Sequence, residues 1–293
     1  MKLASLGGSG DGRLVLVDAG LMRCVRTTGI AGTLQELLDD WDRLMPRLRD
    51  LDSALDAYQA KGAEEFAVTR CTAPLPRPPA RLDALADSSP SPVGPSVMLR
   101  DAGGAEVLSA TADVAVARTT VAIRCCPGIA VVTADVPLQS TADDIHRRKD
   151  IRLLVATNQW WLGTPGASAE FDANRATAFS ASAVTPDGLG SAWDGRLLRV
   201  SLHGAVNGTA PGTGAVGDEV WCDFPALIEK AVRNRPLRAG TVVGVSFTDS
   251  SLAKAPPLAL GDRVTIDVRD PGGHSPFGVI SQRLSRAHRS TPG

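Results

Sequence analysis

The feature that most constrains this sequence is a series of short β-type segments in its second half, with few helical segments between them. The segments are rich in β-branched and apolar residues and are bounded by turn-forming residues, as strands usually are. They are Val121–Arg124, Ile129–Val136, Arg152–Thr157, Ala178–Val184, Leu197–Val206, Thr241–Phe247, Arg263–Val268 and Phe277–Arg283. In this part helices are predicted only near Thr141–Arg148 and across Pro225–Arg233. This pattern excludes an alternating βαβ fold and predicts an α+β, mainly β protein built on a rolled or barrel-like sheet.

The N-terminal part predicts a small α+β domain. Arg13–Asp18 and Leu21–Arg26 are typical of a β-hairpin, and Thr33 followed by Glu36 predicts a capping box at the start of a helix. An apolar stripe at helical spacing follows, formed by Leu34, Leu37, Leu38, Trp41, Leu44, Met45, Leu48, Leu51 and Leu55. Pro46 falls inside this stripe, and we expect it to kink or divide the helix.

A Pro- and Ser-rich stretch separates the two parts. Residues 74–95 contain seven prolines, which predicts a linker or an extended loop. The expected organisation is therefore a small domain over 1–73, a linker over 74–95 and a main domain over 96–293.

Charge and cysteine content narrow the possible partners and compartment. The formal net charge is -1, so we expect neither nucleic acid nor an anionic membrane surface as a partner. No apolar run approaches the ~18 residues of a membrane span, and the first ten residues lack a signal-peptide pattern. Five scattered cysteines do not predict a disulfide framework. These observations together predict a cytoplasmic protein.

Several ordered motifs resemble the two-domain bacterial branch of the fumarylacetoacetate hydrolase family. In the main domain they are Ala130-Val-Val-Thr-Ala-Asp-Val-Pro137, Ala176-Thr-Ala-Phe179, Ala183-Val-Thr-Pro-Asp-Gly-Leu-Gly190, Leu237-Arg-Ala-Gly-Thr-Val-Val-Gly244 and Leu260-Gly-Asp-Arg-Val264. They follow the family's order at close to its spacing. The resemblance implies a small N-terminal domain, a main domain with a mixed, rolled sheet, and a homodimer.

The resemblance also implies a chemistry whose metal ligands are missing from this sequence. The family acts on β-dicarbonyl acids with a divalent cation held by carboxylates, and two of these belong to a Glu-x-Glu just before a Val-rich strand. The matching positions here are Cys126 and Gly128, before Ile129-Ala-Val-Val132. A third ligand, an Asp near the end of a later Leu-Val strand, corresponds to Thr157. Because Mg²⁺ and Mn²⁺ require oxygen ligands, mostly anionic, we expect no metal and no other cofactor.

The rest of the family's catalytic apparatus is replaced as well. The Asn-His pair that carries the general base corresponds to Gly94-Pro95, the substrate-binding Arg to Trp161, and a Lys to Asn174. A Thr-x-Ser-Asn loop becomes Phe247-Thr-Asp-Ser250, and the loop after it, with its Glu, is shortened to Ser251–Pro257. No nucleophile elbow, zinc-protease motif or phosphate-binding loop takes their place.

These replacements predict an altered cleft. We expect Cys126, Thr157, Trp160, Trp161, Asn174 and Phe247 to bind a ligand, with Asp249 and the adjacent Thr248 as the catalytic candidates. Of the two adjacent tryptophans, one is expected to face the core.

Two functions remain open. The first is a metal-independent enzyme or binder for a polyketide-like or aromatic small molecule, which it would cyclise, isomerise or protonate as an enol, with a role in secondary metabolism. The second is a pseudoenzyme that acts as a scaffold or pairs with an active paralogue. Residual hydrolysis of β-dicarbonyl acids is a remote third alternative.

Overall fold

The computed structural model describes residues 1–8, 10–86, 97–117, 120, 122–163, 174–211 and 217–287. Its strands are β1 (Lys2–Leu6), β2 (Arg13–Val17), β3 (Arg23–Arg26), β4 (Glu64–Glu65), β5 (Arg81–Ala86), β6 (Leu99–Asp101), β7 (Glu106–Leu108), β8 (Val114–Val116), β9 (Ala122–Thr133), β10 (Ile151–Gly163), β11 (Asn174–Phe179), β12 (Ser182–Val184), β13 (Leu197–Val206), β14 (Asp218–Asp223), β15 (Val242–Phe247), β16 (Arg263–Arg269) and β17 (Ile280–Arg286). Its α-helices are α1 (Leu34–Asp39), α2 (Trp41–Asp56), α3 (Ala142–Arg148) and α4 (Phe224–Ala231). Short 3₁₀ helices span Val68–Arg70 and Pro186–Ala192. The mainly β prediction is confirmed.

The strands form a 12-stranded mixed sheet and a 5-stranded sheet. The large sheet has the order β4-β3-β2-β1-β12-β10-β9-β15-β5-β6, with β11 also paired to β10 and β7 paired to β11. The small sheet has the order β14-β13-β16-β17-β8. Most pairs are antiparallel, but β15·β5, β11·β7 and β17·β8 are parallel. The N-terminal strands extend the main sheet directly, because β1 pairs with β12.

Two apolar cores hold these layers together. One fills the space between the two sheets and contains Ile129, Val243, Leu202 and Phe277. The other lies on the opposite face of the large sheet, where Leu37 and Leu48 of α1 and α2 pack against Val132, Leu153 and Val155. The large sheet is therefore covered on one face by the small sheet and on the other by the N-terminal helices.

The N-terminal hairpin and helix are confirmed, with two changes of detail. Thr33 caps α1 by accepting the Glu36 amide at 3.2 Å, but the Glu36 carboxylate accepts the Gly32 amide at 2.7 Å. The helix divides at Asp40, six residues before Pro46, which lies inside α2. The expectation that Pro46 kinks or divides the helix is therefore wrong as to the division, which lies at Asp40 because the backbone there leaves the helical conformation.

The Pro-rich stretch is not all linker. Arg81–Ala86 forms β5, which pairs in parallel with β15 across the full length of both strands. The prediction of a linker was therefore wrong for these six residues. The stretch was identified by its many prolines, but none of the six is proline. Two further boundaries differ: β9 is one continuous strand where two segments were predicted, and Ala178–Val184 is split between β11 and β12. In the described part of the chain, no helix has the length and apolarity needed to cross a membrane.

Candidate functional site

The positions that the sequence resemblance matched to the family's metal ligands lie on one face of three adjacent strands. Thr157 of β10 pairs with Gly128 of β9, which also pairs with Ser246 of β15. Cys126 of β9 pairs with Gln159 of β10. Because side chains alternate along a strand, these five residues point to the same side of the sheet. We call this surface, formed by Cys126, Gly128, Thr157, Gln159 and Ser246, the polar face.

The polar face continues onto the neighbouring strands through a buried ion pair. The Arg81 guanidinium lies 3.8 Å from the Asp83 carboxylate, and the two side chains are 2% and 10% exposed. Arg81 also donates to Thr177 Oγ1 at 3.1 Å, and Thr177 pairs with Gln159. Arg81 and Thr177 lie four strands apart, a separation of about 19 Å in a flat sheet. The hydrogen bond between them therefore requires that the large sheet curls around the polar face.

Gly128 has no room for a side chain. A Cβ atom at this position would lie 2.3 Å from the Val245 carbonyl oxygen, 2.9 Å from Ser246 Oγ and 2.9 Å from Thr157 Oγ1. All three distances are shorter than ordinary van der Waals contact, and the shortest involves backbone that cannot rotate away. Any residue larger than glycine must therefore displace β15.

Cys126 and Thr157 are both enclosed. Cys126 is 8% exposed and Thr157 is 4% exposed. Burial raises the pKa of the Cys126 thiol to about 11, although Arg124 acts in the opposite direction. Cys126 is therefore a neutral thiol at physiological pH, which makes it a poor nucleophile and a poor metal ligand.

Trp160 and Phe247 lie in the core rather than in a cleft. Both are fully buried between the two sheets, and the Trp160 indole N–H donates to Gln282 Oε1 at 2.6 Å. The prediction that these two side chains bind a ligand is corrected, because alternation along β10 and β15 turns them away from the polar face. The expectation that one of the two adjacent tryptophans faces the core is confirmed.

The other predicted residues lie around the end of the polar face. Trp161 is half-buried two positions beyond Gln159, and Asn174 opens β11 opposite Leu162. Thr248 is exposed just after β15, where its amide donates to the Ala86 carbonyl at 2.9 Å, and Asp249 follows in a turn. The structure thus brings Cys126 and Thr157 together and leaves Thr248 and Asp249 in the turn that ends β15. Gly94 and Pro95 lie outside the described residues.

Residues missed by the sequence analysis complete the polar face. Gln159 is 3% exposed and Ser246 is 1% exposed, and both lie beside predicted site residues. The signal for Gln159 was its alternation with Thr157 and Trp161 along a strand that proved longer than predicted. Arg81 and Asp83 were missed because they fall in the stretch interpreted as linker.

A separate cavity of about 580 Å³ lies between α2 and the segments that contain α3, the start of β10 and the second 3₁₀ helix. Its walls combine aromatic, apolar and charged side chains: Trp41, Asp42, Met45, Pro46, Arg49, Ile145, His146, Arg147, Lys149, Ile151, Arg152, Thr185, Pro186, Asp187, Trp193, Gly195 and Pro225. None of these residues belongs to the polar face. We call this space the interdomain cavity.

Side chains that could bind a metal ion are not clustered among the described residues. Within residues 1–8, 10–86, 97–117, 120, 122–163, 174–211 and 217–287, no group of three or more His, Cys, Asp or Glu side chains is placed to hold a metal ion. All five cysteines are buried and unbridged.

Comparisons with known proteins give the same fold. Residues 1–77 match the family described as fumarylacetoacetase N-terminal domain 2. Maleylpyruvate hydrolase from a Sphingobium species superposes with a TM-score of 0.72 at 14% identity, over 98% of this chain and 100% of that one. Fumarylacetoacetate hydrolase from Exiguobacterium antarcticum gives 0.66 at 15% identity, over 98% and 100%.

An isomerase has a comparable structural similarity to this chain. The 2-hydroxyhepta-2,4-diene-1,7-dioate isomerase from Mycobacterium marinum gives a TM-score of 0.64 at 14% identity, over 99% of this chain and 100% of that one. No curated protein matches by sequence. The comparisons show that residues 1–77 match a fumarylacetoacetase-type N-terminal domain and that the whole chain has the fold of fumarylacetoacetate hydrolase and the related hydrolases and isomerases.

Proposed function

We propose that this protein has lost the metal-dependent hydrolysis of its family and binds a small organic molecule without a metal. The observation that carries this proposal is the packing around Gly128. A glutamate there, as in the family's Glu-x-Glu, would need space that the Val245 carbonyl, Ser246 and Thr157 already occupy. A side chain at position 128 would therefore require the surrounding strands to move apart.

The remaining donors do not fit a hard dication. Mg²⁺ and Mn²⁺ favour carboxylate, carbonyl and water oxygens. The matching positions offer a neutral thiol at Cys126, no side chain at Gly128 and a hydroxyl at Thr157. The nearby carboxylate of Asp83 already faces the Arg81 guanidinium at 3.8 Å. Because removing a dication from water is costly without anionic ligands, these groups supply too little charge to hold it.

Two regions support binding of a small molecule. Trp161 offers a half-buried aromatic surface near the end of the polar face, and the interdomain cavity has a volume typical of ligand sites. Thr248 and Asp249 are the residues that we assign to any metal-independent proton transfer, because the half-buried Asp249 carboxylate lies in the turn that ends β15 and can accept a proton.

A second candidate function is that of an inactive subunit. The close packing of the polar face supports it, since Thr157, Gln159 and Ser246 are each less than 5% exposed. In this role the chain would form a homodimer or pair with an active paralogue. The two candidates differ in whether the isolated chain binds a small molecule at all.

An activity assay tests the loss of hydrolysis. Acetylpyruvate and maleylpyruvate, two β-dicarbonyl acids, are incubated with the protein and Mg²⁺ or Mn²⁺, with and without EDTA. The Sphingobium maleylpyruvate hydrolase is the positive control for maleylpyruvate. We expect no cleavage above the protein-free rate in any condition. Cleavage that EDTA abolishes would overturn the proposal.

A further inference from the structure

We propose that the interdomain cavity binds a planar aromatic molecule that carries a carboxylate. This inference rests on the proposed role in small-molecule binding and names its site and ligand class. The cavity volume of about 580 Å³ lies within the ~300–1,000 Å³ of ligand pockets. A fused bicyclic acid fits a space of this size.

The walls favour an aromatic ring. Trp41 of α2 and Trp193, which follows the second 3₁₀ helix, both line the cavity and are half-buried. Met45, Ile145 and Ile151 add apolar surface between them. Two indoles beside an apolar floor suit a flat ring, which gains by stacking as well as by leaving water.

The charge in the cavity favours an anion. Four cationic side chains, Arg49, Arg147, Lys149 and Arg152, line it together with two carboxylates, Asp42 and Asp187. An excess of cationic over acidic groups in a low-dielectric concavity attracts negative charge.

Two of the four cations are already engaged. Burial raises the pKa of Asp187, but the Thr185 hydroxyl, the N-terminal ammonium and Arg49 lower it, and the result lies below the ordinary value. Asp187 is therefore ionised and offsets the charge of Arg49. Arg147 pairs with Asp144 on its own helix. Arg152 has only a solvent-exposed partner, Asp42, and Lys149 has no ion pair among the described residues, so these two cations are the most available to a ligand.

Arg152 supplies the best anchor for a carboxylate. Its guanidinium carbon lies 5.4 Å from the centre of the Trp41 ring, which holds it against the cavity wall. Its Nε is buried and has no hydrogen-bond partner among the described residues. Its ion-pair partner, Asp42, is 3.6 Å away and 89% exposed, so water screens that attraction. A ligand carboxylate in the cavity would bind the exposed part of this guanidinium with charge-assisted hydrogen bonds, in competition with Asp42.

This site is distinct from the position of the family's metal. Arg152 and Thr157 belong to the same strand, and five residues of strand separate them by about 16 Å. The cavity also joins α2 to the main domain, so a ligand there would bridge the N-terminal helices and the large sheet.

Calorimetric titration with matched ligands tests the proposal. The full chain is titrated with 1-naphthoate and with the neutral 1-naphthamide, in the presence of EDTA so that the result does not depend on the metal question. We expect saturable 1:1 binding of 1-naphthoate and at least about tenfold weaker binding of 1-naphthamide, the effect of losing a charged hydrogen bond. Absence of saturable 1-naphthoate binding, or equal binding of the two ligands, would overturn it.

Three variants locate the binding. Arg152→Met keeps most of the side-chain volume and is expected to weaken 1-naphthoate binding at least about tenfold. Arg233→Met, which changes an exposed arginine outside the cavity, is the control and is expected to have no effect. Lys149→Gln, expected to weaken binding severalfold, serves if circular dichroism shows that Arg152→Met does not fold. Unchanged affinity in the folded Arg152→Met or, failing that, in Lys149→Gln would overturn the assignment.

Discussion

The Trp160 indole N–H donates to the side-chain carbonyl of Gln282 at 2.6 Å, across the space between the two sheets. Gln282 in turn donates to the backbone carbonyl oxygens of Ala112 at 3.2 Å and Ser109 at 3.5 Å. Both side chains are fully buried. These three hydrogen bonds tie β10 of the large sheet to β17 of the small sheet and to the segment before β8.

Trp160→Phe is expected to lower the free energy of unfolding by about 1–3 kcal/mol, because it leaves the buried Gln282 oxygen without a donor. Urea denaturation of Trp160→Phe, Gln282→Leu and the double variant gives the coupling energy. We expect the double variant to lose less stability than the sum of the single losses. Strictly additive losses would show that the two side chains do not interact.

Asn158→Leu is expected to raise the midpoint of thermal unfolding. Asn158 is fully buried on β10, and neither its amide oxygen nor its amide nitrogen has a hydrogen-bond partner among the described residues. Replacing an unsatisfied buried amide by an apolar side chain of similar size is neutral or stabilising. Gln282→Leu is the matched contrast, because that amide is satisfied and its loss should destabilise. A lower midpoint for Asn158→Leu would contradict the prediction and point to a buried water or ligand at this amide.

Gly128→Ala is expected to destabilise the protein by about 1–3 kcal/mol or more, as overpacking of a filled site does. Gly104→Ala is the control, since a Cβ there meets nothing within 4 Å. Chemical denaturation of the two variants beside the wild type measures the difference. Equal stability of Gly128→Ala and wild type would mean that the strands around Gly128 readily make room for a side chain. The argument from their close packing would then fail.

Stability is expected to decline at alkaline pH in part through Cys126. Burial raises the pKa of this thiol from 9.0 to about 11, so the folded state holds the proton more tightly than the unfolded state. Its contribution is fully present below about pH 9 and is lost as pH rises through about pH 11, by up to about 3 kcal/mol.

Cys126→Ala should therefore show a shallower loss of stability than wild type over this pH window. Urea denaturation at a series of pH values measures it. Parallel curves for the two proteins would contradict the expected ionisation of Cys126.

Sequence patterns within single segments predicted much of the fold. They did not predict contacts between segments that are far apart in the sequence. Alternation along β10 correctly separated the two tryptophans into a core residue and a half-buried one. The bounds of β13 were predicted without error, since half-buried and buried residues alternate over its first six positions. The surroundings of the polar face were only partly predicted. Arg81 and Asp83 lie beside it because β5 pairs in parallel with β15, and a sequence pattern within one segment cannot predict such a pairing. The interdomain cavity combines Trp41, Arg152 and Trp193, residues brought together only by the tertiary fold.

Titration with Mn²⁺, followed by the electron paramagnetic resonance signal of the free ion, tests the central claim most directly. The Sphingobium maleylpyruvate hydrolase, a relative whose structure has been determined with manganese and pyruvate, is the positive control. The packing around Gly128 predicts that the free-ion signal is the same with and without this protein, up to millimolar manganese. A saturable, one-site loss of the signal that EDTA reverses would contradict it.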